Sequence, residues 1–409
     1  MHNALRSQLA LGSLLLSFAL TVTAAGPKAY VGNFKDNSVS VIDTGTGQVV
    51  QTVPVSAGPH GMSATPDGRT VYVSGDGSSE VSVIDAATDR VTRKIEVGKT
   101  PHGLAMTPDG KLLLVGVYGE DRVALIDTST QAIVATVPVP KPHTIAIRPD
   151  GKVAYIASQE PGKFALVVVD VATRSAVRTL PLEKTPRDLE FGYDSRALYF
   201  TMAGVNSIAV LDPASDKIVA QIPTGASPHL ANFFRGASAG TAVVQGPGEL
   251  QLFDPATNMP LKAIAVGKQP HWMAATSDGK RIYVTNEGSN DVTVVDLAAG
   301  TTSTIAVGNA PRKVVVLPGA ATTQSSGARI SIANFAFAPG EITVAPGSMV
   351  TWSNDDGAPH GLAYNDGAKG TDVLLPGASF SRVYDKPGTF DYVCAVHAYM
   401  TGKVIVRAP

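Results

Sequence analysis

A seven-fold repeat of a Pro-His or Pro-Arg pair constrains this chain more than any other feature of its sequence. The pairs, at intervals of 41–44 residues, are Pro59-His60, Pro101-His102, Pro142-His143, Pro186-Arg187, Pro228-His229, Pro270-His271 and Pro311-Arg312. Each interval holds four short runs of β-type residues, and turn signals such as the Pro-Asp-Gly at 66–68 join the first run to the second. Four strands in a repeat of about 40–45 residues are typical of one blade of a β-propeller.

The order of the strand types indicates how the predicted ring closes. Strands of the first type begin at each pair, and the last of them occupies 312–317. Strands of the second type also occur seven times, but the first of them, "AYVGN" at 29–33, precedes every strand of the first type. The segment 29–55 should therefore supply three strands of one blade and 312–317 its fourth, which leaves no free sheet edge. The sequence predicts an all-β chain that begins with a seven-bladed β-propeller.

The repeats resemble the YVTN family of bacterial β-propellers, and the letters "YVTN" themselves stand at Tyr283–Asn286. The resemblance covers about 29–318 and implies the fold. It implies little about function, because propellers host many unrelated activities.

Seven aspartates end the third strand of the repeats, at Asp43, Asp85, Asp127, Asp170, Asp212, Asp254 and Asp296. A ring of metal-binding carboxylates is one interpretation of them. Each precedes a turn rich in Thr, Ala or Pro, however, where an aspartate side chain accepts hydrogen bonds from nearby backbone N–H groups. We therefore predict that these aspartates stabilise turns.

Five histidines occupy one position of the repeat, directly after the proline: His60, His102, His143, His229 and His271. The innermost strand of each blade lines the propeller axis, so we expect these side chains to form a ring at one mouth of the central channel. Neutral imidazole is a ligand for copper and zinc. Arg187 and Arg312 fill the two remaining positions, and their charges would favour an anionic substrate or ligand.

Three interpretations of this histidine ring stay open. It could bind a metal, it could bind a small anion or organic molecule, or repeat duplication could have copied one histidine five times without any ligand. The loops after the second strands should surround the same mouth. Their candidates for supporting a ligand or transferring protons are Asp76, Tyr118, Glu160, Gln245 and Glu287.

The first 25 residues have the layout of a secretory signal peptide. Arg6 lies near the start, an apolar run extends from about Leu9 to Val22, and small residues lead to Ala25. We therefore expect cleavage near Ala25 and a periplasmic or secreted protein, with an uncleaved anchor as the alternative. No second apolar segment predicts a membrane span. The net charge of −1 gives no reason to expect a nucleic-acid partner.

The predicted organisation is a signal peptide at 1–25, a propeller at 26–318, a linker at 319–328 and a second domain at 329–409. The segment "PGAATTQSSGA" at 318–328 is small and polar, as linkers are. The residues after it alternate in the pattern of a small β-sandwich.

The second domain contains the one cysteine of the chain, Cys394, in the stretch "YVCAVHAYM". An exported protein with one cysteine cannot form an intramolecular disulfide. His397 and Met400 follow on the same predicted loop, and His360 follows a strand nearby in the predicted sandwich. One thiolate, two imidazoles and a more distant thioether are the ligands of a type 1, or blue, copper site. A zinc site and a buried free cysteine are the alternatives.

This domain resembles the cupredoxins, specifically amicyanin and its pseudoazurin and plastocyanin relatives. Two motifs match amicyanin: Trp-x-Asn-x4-Pro-His over Trp352–His360, and Cys-x2-His-x2-Met over Cys394–Met400. The resemblance covers about 329–407. It implies that electrons enter or leave through His397, close to the surface.

The order of the two predicted domains is similar to that of nitrous oxide reductase. In that family a histidine-bound copper cluster lies in the propeller, and a copper-binding cupredoxin domain supplies it with electrons. Thiocyanate dehydrogenase likewise places copper in a histidine-lined propeller. This chain has five ring histidines where nitrous oxide reductase has seven, and its single cysteine cannot build that family's two-copper, two-cysteine centre. These departures argue against nitrous oxide as the substrate.

The leading hypothesis is a periplasmic copper oxidoreductase. A copper centre in the histidine ring would act on a small anion oriented by Arg187 and Arg312, and the Cys394 site would exchange electrons with a redox partner protein. A head-to-tail homodimer would bring the two sites together if they lie too far apart within one chain. The competing hypothesis is an electron carrier or copper-handling protein whose propeller is a docking scaffold. A lactonase-like hydrolase is a weaker third, because its carboxylate-rich metal site is not evident.

Overall fold

The computed structural model describes residues 27–237, 239–317, 328–367 and 370–407. The predicted signal peptide with its cleavage site, and the predicted linker up to residue 327, lie outside these residues. The described chain consists of strands β1–β37, numbered along the sequence, and one short 3-10 turn at Tyr118–Glu120. Within the described ranges, no helix has the length and apolar character needed to cross a bilayer.

The first twenty-eight strands form seven repeats of four. The innermost strands are β4 (Pro59–Ala64), β8 (Pro101–Met106), β12 (Pro142–Ile147), β16 (Pro186–Phe191), β20 (Pro228–Asn232), β24 (Pro270–Ala275) and β28 (Pro311–Val316). The second strands are β1 (Lys28–Asn33), β5 (Thr70–Gly75), β9 (Leu112–Val117), β13 (Val153–Ser158), β17 (Leu198–Met202), β21 (Gly240–Val244) and β25 (Arg281–Asn286).

The third and fourth strands complete each sheet towards the outside. The third strands are β2 (Ser38–Asp43), β6 (Glu80–Asp85), β10 (Arg122–Asp127), β14 (Ala165–Asp170), β18 (Ser207–Asp212), β22 (Glu249–Asp254) and β26 (Asp291–Asp296). The outermost strands are β3 (Gln48–Pro54), β7 (Arg90–Glu96), β11 (Ala132–Pro138), β15 (Ser175–Pro181), β19 (Lys217–Pro223), β23 (Met259–Ala265) and β27 (Thr301–Ala306).

These strands form seven antiparallel four-stranded sheets, which confirms the predicted propeller and its blade number. The closing blade has the order β28-β1-β2-β3, so strands from both ends of the propeller share one sheet, as predicted. Val31 of β1 pairs with Val314 of β28. The closing strand begins at Pro311, one residue before the predicted start.

Burial follows the position of a strand within its blade. The second and third strands lie between neighbouring blades, and their Val, Ile, Tyr and Ala side chains are buried on both faces, as in the run from Val71 to Gly75. Most residues of the outermost strands are exposed. Burying one Val or Ile side chain stabilises the fold by roughly 1.5–3 kcal/mol, so the contacts between blades are the main source of stability.

The glycine after two of the ring histidines allows neighbouring inner strands to approach closely. A Cβ added at Gly61 would lie 2.1 Å from the carbonyl oxygen of His102, and one added at Gly103 would lie 2.3 Å from that of His143. No side chain fits at either position. The Pro-His-Gly sequence therefore brings three inner strands together and places their histidines side by side.

The seven aspartates at the ends of the third strands stabilise turns, as predicted. Asp43 Oδ1 accepts hydrogen bonds from the backbone N–H groups of Gly45 and Thr46, and Asp296 Oδ1 accepts the equivalent bonds from Ala298 and Ala299. The other five aspartates accept hydrogen bonds from residues two or three positions ahead.

The second domain is a β-sandwich of two sheets with the cupredoxin fold. One sheet has the order β30-β29-β32-β35 and contains β29 (Ala328–Ala333), β30 (Ala336–Ala338), β32 (Ser348–Asn354) and β35 (Ser379–Tyr384). The other has the order β31-β37-β36-β33-β34 and contains β31 (Glu341–Val344), β33 (His360–Tyr364), β34 (Thr371–Leu374), β36 (Gly388–Val393) and β37 (Thr401–Val406). Strand β34 was not predicted from the sequence.

The core of the sandwich is aromatic. Trp352 is fully buried and meets Tyr392 edge-on at a centroid distance of 5.2 Å. Cys394 and Met400 belong to the same buried cluster, with exposed fractions of 1% and 3%. The predicted copper ligands thus lie at one end of this core.

Candidate metal centres

A short loop places three of the four predicted copper ligands in the second domain. Cys394 follows β36 directly, Met400 precedes β37, and His397 lies midway between them. The N–H of Cys394 donates to the carbonyl oxygen of Met400 at 2.9 Å, and the N–H of Met400 donates to that of His397, also at 2.9 Å. These bonds close the loop, while His360 reaches the same point from the start of β33.

The donor atoms of His360, Cys394 and His397 form a nearly equilateral triangle. Cys394 Sγ lies 3.6 Å from His360 Nδ1 and 3.8 Å from His397 Nδ1, and the two nitrogens are 3.3 Å apart. The point equidistant from the three atoms in their plane lies about 2.1 Å from each, which is within the usual range of about 2.0–2.3 Å for metal bonds to nitrogen and sulfur. These residues therefore fit a type 1 copper site.

Neighbouring groups hold the ligands in this arrangement. Asp356 Oδ2 lies 3.2 Å from His360 Nε2, so it orients the ring with Nδ1 towards the triangle. The pKa of the Asp356 carboxyl is lowered, mainly because the carboxyl accepts a hydrogen bond from the N–H of Phe335. The contact with His360 lowers this pKa further. The N–H of His397 points at Cys394 Sγ at 3.3 Å, as expected for a donor that stabilises a thiolate.

The propeller brings the five repeat histidines together as a trio and a pair that touch. In the trio, the ring centroids of His60 and His102 are 3.8 Å apart, and those of His102 and His143 are 4.0 Å apart. In the pair, the centroids of His229 and His271 are 4.1 Å apart, and the ring of His271 meets that of His60 edge-on at 5.8 Å. The five rings line one cavity of about 290 Å³ at the channel mouth.

The trio is in the chemical form that binds metals. Nδ1 of His102 lies 3.1 Å from the carbonyl oxygen of His143, and Nδ1 of His143 lies 3.3 Å from that of Arg187. A carbonyl oxygen only accepts, so Nδ1 carries the proton and Nε2 keeps its lone pair. Burial, together with neighbouring positive groups, lowers the pKa of His60 and His102 well below the usual value, which keeps both rings neutral.

The nitrogens of the trio do not converge on a point as the donors of the second domain do. A possible metal site needs at least three donor atoms of His, Cys, Asp or Glu within 4.8 Å of one another. Among the described residues, His360, Cys394 and His397 meet this condition. Within the part of the chain that the structure describes, the histidine ring therefore has no preformed three-ligand site.

The two arginines of the ring have different surroundings. Arg312 Nη2 lies 3.2 Å from Glu287 Oε1, and its guanidinium lies 3.6 Å from the ring centroid of Phe34. Arg187 makes one long hydrogen bond, of 3.4 Å, to Ser227. Arg187 is therefore the freer of the two to meet an anion.

The five loop candidates divide into those that line the cavity and those that do not. Gln245 and Glu287 line it. Tyr118 lies outside the lining and meets His102 at a centroid distance of 6.2 Å, and Glu160 forms an ion pair with Lys163. Asp76 lies outside the lining, and burial raises its pKa.

Sequence reasoning missed Asp188, which lines the same cavity and is 2% exposed. Its Oδ2 atom lies 2.7 Å from His229 Nδ1. Burial opposes ionisation of Asp188, but the contact with His229 and the positive potential of His143 and His271 outweigh burial and lower its pKa far below the usual value. The sequence did contain a signal for Asp188. It follows Arg187 at the repeat position that Gly61 and Gly103 occupy in other repeats, so an acidic residue there is unusual.

Both halves of the chain match known protein families. Residues 325–407 match the family described as copper binding proteins, plastocyanin/azurin family. Residues 30–236 match the family described as cytochrome D1 heme domain. The two matches fall on the sandwich and on the propeller, respectively.

Relatives of the second domain are cupredoxins. Amicyanin-alpha of Methylorubrum extorquens is 33% identical over 84 residues, which are 19% of this chain and 70% of that protein. Amicyanin of Paracoccus denitrificans is 33% identical over 97 residues, 22% of this chain and 73% of that protein. The chain spans from 54% to 88% of the length of the cupredoxins that it matches.

Solved structures share the fold of the propeller. Hydrazine synthase of Kuenenia stuttgartiensis has a TM-score of 0.61 at 21% identity, over 70% of this chain and 99% of that one. Apo AztD of Citrobacter koseri has a TM-score of 0.57 at 17% identity, over 73% of this chain and 99% of that one. At these identities the likeness establishes the fold alone.

The channel mouth does not fit a haem. The cavity is lined by histidine, arginine, glutamine and acidic side chains. A tetrapyrrole is a broad, largely apolar plane, and cofactor sites for such groups have mostly apolar walls in cavities of about 300–1,000 Å³. The residues of this mouth instead suit a metal ion or a small polar ligand.

Proposed function

Because the chain belongs to the plastocyanin/azurin family of copper-binding proteins in its C-terminal domain and to the cytochrome D1 heme domain family in its propeller, we propose that it is a periplasmic copper-dependent oxidoreductase. A type 1 copper site in the cupredoxin domain exchanges single electrons with a redox partner protein. A second copper centre, at the histidine ring, acts on a small anionic substrate.

The observation that carries the proposal is the donor triangle of His360, Cys394 and His397. Its sides of 3.3–3.8 Å leave room for one metal ion, and its thiolate and imidazole donors suit copper. Met400, buried beside Cys394, would supply a thioether to the same ion. Copper bound there supplies one-electron transfer, and the chain's own residues fix the ligand positions through Asp356 and the closed loop.

The surroundings of His397 support electron exchange with another protein. His397 is partly exposed, and apolar side chains around it face solvent: Phe335 at 43%, Val396 at 48% and Tyr399 at 71% exposed. Phe335 and Tyr399 both contact its ring. An exposed apolar patch of this kind favours docking of a partner around the ligand through which electrons pass.

The neutral imidazoles of the ring support a second metal site in the propeller. His102 and His143 keep Nε2 free, and His60 is stacked against His102. Binding of one ion by the three requires their rings to turn from the stacked arrangement. Arg187, with a single long hydrogen bond, would orient an anion beside them, while Arg312 is held by Glu287. A head-to-tail homodimer would place the cupredoxin of one chain over the ring of another.

A second candidate function is an electron carrier or copper-handling protein without chemistry of its own. It is favoured by one observation: in the described part of the chain, only the cupredoxin residues bring three donors within 4.8 Å of one another. In this case the propeller serves as a docking scaffold.

Metal counting separates the two candidates. We expect the copper-loaded chain to hold more than one copper, and Cys394→Ala to lose one copper together with the blue absorption. Combined replacement of His60, His102 and His143 by Gln should remove only the additional copper and leave the blue absorption intact. Val396→Ala, on the same loop as Cys394, is the matched control and should keep all copper. One copper per wild-type chain would refute the catalytic ring and support the carrier.

A further inference from the structure

The central channel of the propeller holds a second cavity, of about 370 Å³, at the end opposite the histidine ring. The inner strands begin at the ring, and residues towards their far ends line this space, which we call the distal cavity. About half of the exposed surface of its walls is apolar, and partly exposed side chains such as Met106, Ile147, Phe234 and Val315 contribute to it. Its volume lies in the range of about 300–1,000 Å³ that is typical of small-molecule sites.

Two opposite charges lie in these walls. Glu190 projects from β16 and Lys313 from β28, and both line the distal cavity. Three blades separate β28 from β16 in one direction around the ring and two in the other, so the two side chains lie on opposite sides of the channel. No ion pair joins either of them to another residue of the described chain.

The two groups affect each other through the cavity. Burial raises the pKa of Glu190 to about 7, and the charge of Lys313 works against that rise. Burial lowers the pKa of Lys313, and the charge of Glu190 works against that fall. Lys313 Nζ also lies 3.7 Å from the ring centroid of Trp272, a cation–π contact that stabilises the ammonium from one side only. Each charge therefore gains from a partner that the protein itself does not supply.

We propose that the distal cavity binds a small zwitterion whose ammonium and carboxylate groups are separated by an apolar stretch. The ammonium pairs with Glu190, the carboxylate pairs with Lys313, and the apolar stretch crosses the channel past the partly exposed apolar side chains of the wall. Both ends are needed, because a partly buried charge that is left without a partner loses solvation without compensation.

The probe is 6-aminohexanoate, titrated into the copper-free full-length chain by calorimetry, with the fluorescence of Trp272 as a second readout. We expect one site per chain. Hexylamine and hexanoate each lack one charge, and leucine has its charges adjacent, so all three should bind at least about 10-fold more weakly. Glu190→Gln and Lys313→Met should each weaken binding of the probe by about 10- to 100-fold.

Glu183→Gln, at an exposed position between β15 and β16, is the matched control and should bind the probe as the wild type does. Binding of hexanoate or hexylamine as tight as that of 6-aminohexanoate would overturn the proposal, as would unchanged affinity in both charge variants. Absence of binding to the wild type at about 10 mM probe would overturn it as well. The use of copper-free protein makes this result independent of the copper sites.

Discussion

Asn354 is expected to be the side chain that most firmly fixes the position of His360. It is fully buried, and its Nδ2 group donates to the carbonyl oxygens of Ala358 and Leu374 at 2.9 and 2.8 Å. Its Oδ1 atom accepts from the N–H of Asp356 at 3.0 Å. Asn354 thus ties together the loop that leads to His360 and the strand β34 that pairs with it.

Asn354→Ala removes these three hydrogen bonds and leaves the carbonyl oxygen of Leu374 buried. At about 1 kcal/mol for each bond, the free energy of unfolding of the cupredoxin domain should fall by about 3 kcal/mol. For a domain of this size, such a loss lowers the melting temperature by roughly 12–24 °C. Copper affinity should also fall, by about 10- to 100-fold, because Asp356 and the start of β33 lose their support.

Urea unfolding of the copper-free protein and copper titration followed by the blue absorption measure the two effects. Asn365→Ala is the matched control, since Asn365 is an exposed asparagine of the same domain, and it should change stability by less than about 0.5 kcal/mol. A loss below about 1 kcal/mol for Asn354→Ala, or copper affinity equal to that of the control, would refute the reasoning.

Two further predictions concern the propeller. Gly103→Ala should destabilise the propeller by about 1–3 kcal/mol in urea unfolding, because the new methyl group would lie 2.3 Å from the carbonyl oxygen of His143. Gly77→Ala is the control: its methyl group would make ordinary contacts, so it should change stability much less. Since the pKa of Glu190 is raised from 4.5 to about 7 in the folded protein, stability should fall as pH rises from 4.5 to 7, by at most about 3 kcal/mol. Glu190→Gln should remove this decline, and an unchanged pH profile in that variant would contradict it.

The sequence predicts the architecture well because the repeat carries it. Each Pro-His pair marks the start of an inner strand, and counting strand types predicts that β28 joins β1. The candidate copper ligands could be proposed from the sequence for a similar reason: Cys394, His397 and Met400 lie on one loop, and their spacing is a local property of the chain.

Contacts between blades were not predictable. Asp188 on β16 meets His229 on β20, and Glu287 after β25 holds Arg312 on β28. Each pair joins residues from neighbouring repeats, whose side-chain directions depend on how the blades pack. The tilted arrangement of neighbouring histidine rings, and the contact between His60 and His271, have the same origin.

The closing blade also determines the order of events during synthesis. Strands β1 to β3 are made first, yet the edge of β1 has no partner until residues 311–316 have been made. Throughout that interval the growing chain exposes an unpaired strand edge, the kind of surface on which aggregation begins. The sheet of the closing blade is therefore the last of the seven to lose its open inner edge.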